Sequence, residues 1–281
     1  NNHTNLVYKA RNDEILLDLP VSASAEERLT DKSCLNVEDI VRFADTVDPA
    51  LLEPVLERQI RYNSAIAEEG IRGGWGAEIG RILLEGVNGD IQTEAKAYAA
   101  AGSDARMSGC EMPVVILSGS GNQGITASLP VIRYAKHLGA SREQLLRALA
   151  LSDLITIHQK TGIGRLSAYC GAISAGVGAG AGVCYLQGGG YTAVAHTVVN
   201  AVAVLSGTIC DGAKPSCAAK IAAAVDAGIM GYRMYLHDRE FRRGEGIVSD
   251  SVDKTIRNVG ILAQQGMLQT DRTILEIMQQ K

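Results

Sequence analysis

Four absences narrow what this sequence can be. No window clusters Lys and Arg, and the formal net charge is −4 at pH 7. Nucleic acid and anionic membranes are therefore not expected partners. The first residues, Asn1-Asn2-His3, carry neither an initiator Met nor the charged-then-apolar layout of a leader, which reads as a trimmed N-terminus. No Asp, Glu, Lys or Arg occurs from Leu166 to Cys210. No C-x-x-C pair exists among the cysteines at 34, 110, 170, 184, 210 and 217, which argues against a zinc ribbon. With no export signal, those six cysteines point to buried thiols or metal ligands in a reducing cytoplasm rather than to a disulfide framework.

The uncharged run is long enough for two membrane spans, but its composition does not suit lipid. Of the 20 residues from Gly171 to Gly190, 12 are Gly or Ala. Small residues at 172, 175, 176, 179 and 180 predict buried helices whose backbones approach closely. No membrane association is expected.

Elsewhere the patterning is more ordinary. Residues 5–19, NLVYKARNDEILLDL, alternate on either side of Asn12-Asp13 and predict a hairpin that needs a neighbour to be stable. From Asn36 the apolar spacing changes to three and four, through Val37, Ile40, Val41 and Ala44 and then Leu51 to Ile60. Ser141 with Gln144 makes a capping box ahead of Leu145, Leu146, Leu149 and Leu154. The tail from Ser249 is amphipathic and is expected to close the helical body. The chain thus reads as mainly α, with a β element over 1–35 and a helical domain over 36–281.

The stretch SGSGNQG at 118–124 follows the apolar run Val114–Leu117, and its Gly119, Gly121 and Gly124 satisfy G-x-G-x-x-G. A dinucleotide turn needs in addition an uninterrupted helix, a second parallel strand and an acidic residue about 20 positions on. Pro130 is expected to interrupt the helix, and no second strand is available. Two readings remain: a structural turn, or a nest of amides for a small anion with Asn122 and Gln123 beside it.

Cys170 in YCGAISAG and Cys210 and Cys217 in CDGAKPSC lie in Gly-flanked turns. They fit either a [4Fe-4S] cluster with three protein ligands or plain buried thiols. Upstream, ITIHQKTGIGR places His158 and Lys160 at the mouth of the uncharged run. Each has an ordinary reading beside a catalytic one: a hydrogen-bonded core histidine and a solvated helix end. His196 is expected to be buried without a charged neighbour, and Asp211 either caps a helix or orients a cysteine.

SGSGNQG, YCGAISAG and CDGAKPSC, in this order and with the opening His3-Thr4-Asn5, resemble the L-cysteine desulfidase family, distant kin of the iron-sulfur L-serine dehydratase alpha domain. The resemblance implies a helical domain carrying a [4Fe-4S] cluster on Cys170, Cys210 and Cys217. It implies a loop of Ser118, Ser120, Asn122, Gln123 and Gly124 receiving the carboxylate of a small amino acid. The activity implied is elimination of sulfide from L-cysteine to give pyruvate and ammonia, with L-serine dehydration or non-catalytic cluster or amino-acid binding as alternatives. A homo-oligomer would be compatible with this. Family members also carry a Gly-Cys-Thr-Glu-Pro motif whose cysteine is the expected base; these 281 residues lack it. His158 and Lys160 are then the remaining candidates for the base, and this chain alone is expected to be inactive without the family's N-terminal segment.

Overall fold

A computed structural model describes residues 6–20, 30–85, 89–164 and 167–280. His3-Thr4-Asn5, Leu166 and Lys281 lie outside them. The structure is mainly helical with one two-stranded antiparallel sheet, and contacts divide it between Cys34 and Leu35.

In the first unit, β1 (Tyr8–Arg11) pairs with β2 (Glu14–Asp18), with a bulge between Lys9 and Ala10. Asn12 turns the chain at φ +54°, a left-handed conformation that Asn tolerates better than most residues.

The second unit holds α1 (Val37–Thr46), α2 (Pro49–Arg72), α3 (Ile79–Leu84), α4 (Ile91–Met107), α5 (Gly121–Leu138) and α6 (Arg142–Ile163). It continues with α7 (Gly171–Leu186), α8 (Tyr191–Val204), α9 (Cys217–Leu236), α10 (Val252–Ile261) and α11 (Leu268–Gln279). Several starts follow directly from side chains. Asn36 accepts from the Asp39 amide at the head of α1, and Asp90 caps α4 through the amides of Gln92 and Thr93. Ser141 and Gln144 make both bonds of the capping box.

The amphipathic tail closes the body through α10 and Ala263 just beyond it. Val252, Ile256 and Val259 are buried, whereas α11 contributes no buried residue. Pro130 does not end α5, which runs on to Leu138. Every residue from Gly121 to Val131 is buried, and that packing outweighs the roughly 3 kcal/mol that an interior proline costs. His196 also departs from expectation: its Nδ1 lies 2.5 Å from Glu240 Oε2. The 240–243 segment returns beside α8 there, around a cavity of about 370 Å³.

The core centres on α7, which packs against α5, α6, α8 and α9. Its residues from Ala172 to Cys184 are all buried, which explains why the sequence excludes charge there. Among the described residues no helix is long and apolar enough to cross a membrane.

One half-buried carboxylate sets a pH dependence. Gln59 Nε2 of α2 donates to Asp153 Oδ1 of α6 at 3.0 Å, and desolvation pushes the Asp153 pKa from 3.8 up to about 7. The folded state therefore holds this proton more tightly than the unfolded chain. The stability that protonation contributes is complete below the unfolded pKa and is lost as pH rises toward the folded one. Asp153→Asn keeps an acceptor for Gln59 and removes the charge. It is expected to gain about 1–3 kcal/mol at pH 8 and nothing at pH 4. Melting curves at the two pH values test this, and an equal shift at both would sink it.

Candidate active site

The small residues of α7 do more than fill space. A Cβ on Gly176 would lie 2.3 Å from the Ala224 carbonyl oxygen, and one on Gly180 would lie 2.3 Å from that of Gly228. Both partners advance by four, so α7 and α9 run parallel with their backbones in contact. Stepping six residues back from Gly176 and Ala224 reaches Cys170 and Ala218, the residue after Cys217. The helix pair thereby puts Cys170, at the N-cap of α7, and Cys217, the first residue of α9, at the same end.

Cys210 joins them through a two-residue bridge. The Cys170 amide donates to Thr208 O at 2.9 Å, and the Cys210 amide donates to Ala168 O at 2.6 Å. Interaction between the Cys170 and Cys210 thiols, reinforced by the Gly212 amide and Lys220, lowers the Cys210 pKa to about 6. The same interaction and burial push Cys170 upward. Cys217 Sγ lies 3.8 Å from Gly212 O.

Three cations surround the thiols. Lys160 is 6% exposed; burial lowers its pKa, while the charges of Cys170 and Cys210 act in the opposite direction. Lys220 Nζ donates to Ile209 O at 2.7 Å and to Asp211 Oδ1 at 2.8 Å. Asp211 also pairs with Lys214, and the two lysines hold its carboxyl below the usual range. Asp211 thus anchors the cysteine loop through lysines. Arg106 of α4 is the third; burial lowers its pKa, and the charge of Cys217 acts against that.

His158 lies elsewhere. Its Nε2 is 2.7 Å from Asp253 Oδ1, which also accepts the Val37 amide at 3.2 Å, so it ties α6 to α10 and α1. Two residues along a helix is about 200° of rotation, which separates it from Lys160. Of the remaining cysteines, Cys184 is buried, Cys110 half-buried and Cys34 exposed.

The glycine loop stands beside Cys170. Leu117 and Ser120 exchange two backbone hydrogen bonds across a tight turn with φ +46° at Ser118 and +85° at Gly119. After it α5 begins, and the amides of its first turn have no acceptor within the helix. Asn63 of α2 holds the strand-like approach by accepting the Val115 amide at 2.9 Å. Gly171, next to Cys170, packs so tightly on this helix that a Cβ there would lie 2.5 Å from Gln123 Nε2. Asn122 accepts from Arg106 at 3.2 Å. Gln123 Oε1 and Ser118 Oγ are buried with no hydrogen-bond partner. The structure therefore brings together Ser118, Ser120, Asn122, Gln123, Gly124, Lys160, Cys170, Cys210 and Cys217.

Arg106 and Lys220 escaped the sequence reading. Neither belongs to a motif; the available signal was a single Arg closing the Ala-rich run of α4, and a Lys three residues after Cys217.

Among the described residues no group of three His, Cys, Asp or Glu converges closely enough to hold a single metal ion. A cubane spreads its thiolates over separate irons, so such convergence is not its requirement. Its donors are thiolates, and thiolates are favoured at helix N-termini and beside cations. Cys170 and Cys217 stand at helix N-termini and Cys210 feels Lys220, while burial of Cys170 works against its thiolate.

The helical body thus carries Cys170, Cys217 and the amide-rich turn at one end. Residues 18–276 match the serine dehydratase alpha chain family, and the chain belongs to it. It is 56% identical over 276 residues to a UPF0597 protein of Desulfitobacterium hafniense, covering 98% of this chain and 64% of that protein. A UPF0597 protein of Treponema denticola is 46% identical over 282 residues, covering 98% and 65% respectively. The chain thus spans just under two thirds of the length of these relatives. No solved structure matches it.

Proposed function

We propose that this chain forms the cluster- and substrate-binding part of an iron-sulfur lyase that eliminates sulfide from L-cysteine, leaving pyruvate and ammonia. The observation that carries the reading is the juxtaposition of Cys170, Cys210 and Cys217 with the glycine loop across the Gly171–Gln123 contact. L-Serine is the rival substrate, since a hydroxyl occupies the same place as a thiol.

Cys170, Cys210 and Cys217 would hold a [4Fe-4S] cluster, which when bound supplies an open iron as Lewis acid toward the β-substituent. Everything else falls to protein groups. The amides opening α5, with Ser118, Ser120 and Asn122, fix the carboxylate end, and Gln123 stands beside them. Lys160, held in an apolar setting that favours its neutral form, is the residue of this chain best placed to accept a proton near the thiols. His158, engaged by Asp253, serves the packing of α6. The whole protein's turnover remains part of this proposal.

The test is anaerobic iron-sulfur reconstitution of the chain beside a Cys170→Ala, Cys210→Ala, Cys217→Ala variant. About four irons per chain are expected in the parent and none in the variant. No iron in either, or equal iron in both, would overturn the assignment.

A further inference from the structure

Arg106 lies near the C-terminal end of α4, in a helix otherwise lined with buried alanine. Its Nη1 donates to Asn122 Oδ1 at 3.2 Å. A Cβ on Gly121 would fall 2.4 Å from its Nε and 2.9 Å from its Cζ, so the guanidinium rests against the first residue of α5. Among the described residues no carboxylate neutralises it; its side-chain partners are Asn122 and the Met107 sulfur at 3.9 Å. A half-buried guanidinium normally finds an anion, and a carboxylate is the shape its planar fork matches.

A second, independent observation comes from the same end of α5. Gln123, 5% exposed, has an Oε1 that accepts from nothing, and Ser118 Oγ is likewise buried and unclaimed. Leaving a buried acceptor empty costs about 1–3 kcal/mol, so a donor is missing from the picture. The site therefore offers a cation and helix amides for an anion, and next to them an acceptor for a cation. An α-amino acid carries those two charges on one carbon.

We propose that Arg106 receives the substrate carboxylate and that Gln123 Oε1 accepts from the substrate ammonium, so that these two residues select a free α-amino acid. This rests on the reading of the glycine loop as the carboxylate end of the site, and it adds the residues that set specificity.

The test separates the two ends of the ligand and needs no reactive β-substituent. L-Alanine, propionate and ethylamine are titrated by ligand-observed NMR against the full chain, with and without reconstituted iron. Arg106→Gln is expected to weaken L-alanine and propionate at least tenfold and to leave ethylamine unchanged. Gln123→Ala is expected to weaken L-alanine and ethylamine and to spare propionate. Arg106→Lys keeps the charge without the fork; it should retain the parent's melting temperature and lose three- to tenfold toward the two carboxylates, which covers the case in which Arg106→Gln folds poorly. Unchanged carboxylate binding in both Arg106 variants, or no carboxylate binding by the parent, overturns the proposal. Propionate that depends on Arg106 with L-alanine no tighter upholds Arg106 and rejects the amino acid as substrate.

Discussion

Gly228→Val is expected to yield no folded protein. A Cβ on Gly228 would lie 2.1 Å from the carbonyl oxygen of Gly176, and the atom it meets is backbone at the centre of a buried helix. No side chain can swing aside to relieve that contact. The remaining response is for α7 and α9 to part, and α7 is the helix against which four others pack. The cost exceeds about 4 kcal/mol, in the range reserved for core overpacking. Gly228→Ala should retain the fold at a loss of about 2–4 kcal/mol. Gly190→Ala is the control, since nothing lies within 4 Å of a Cβ there, and its effect should stay within about 1 kcal/mol. Urea unfolding of the two alanine variants decides it: equal midpoints would refute the close-packed helix pair. Cys170 and Cys217 head these two helices, so Gly228→Ala should also lose reconstituted iron before it loses helix content.

Gly124→Ala should do to the loop what Gly228→Val does to the core. Its Cβ would sit 1.9 Å from the Val115 carbonyl oxygen, while Asn63 pins the Val115 amide from the other side. The first turn of α5 must move outward, taking Asn122 and Gln123 with it. A loss of about 2–4 kcal/mol and at least a tenfold weakening of L-alanine binding are expected. Gly171→Ala offers a contrast, because the atoms met there belong to the flexible end of Gln123. That variant should melt near the parent and yet bind L-alanine more weakly. A Gly124→Ala protein with parental melting and binding would show that the contact has no hold on the loop.

Local chemistry made much of this fold readable. Asn36 and the Ser141–Gln144 box announce their helices because the capping atoms lie within three residues of the amides they satisfy. The lack of charge after Leu166 signals burial because an unpaired charge is too costly inside a core. Pro130 misleads because propensity is local, whereas the burial of Gly121–Val131 is supplied by helices far away in sequence. For the site, the loop and the three cysteines are legible as motifs. Arg106 is not, since its meaning lies in a contact across 16 residues to Asn122 that no periodicity encodes. Likewise nothing in the alternation of small residues reveals that Gly176 meets Ala224 and that α7 and α9 are parallel.

That parallel arrangement also decides when the three thiols can meet. Antiparallel neighbours would place the starts of α7 and α9 at opposite ends, and a shared thiol cluster would be impossible. Here the cysteines become neighbours only when the second helix of the pair has docked, after the chain has made α7, α8 and the crossing back to α9. A nascent chain that stops short of α9 presents Cys170 and at most Cys210, held by nothing but a two-residue bridge. The trio therefore meets only once α9 has docked, with α10 still to close the core over Val252, Ile256 and Val259.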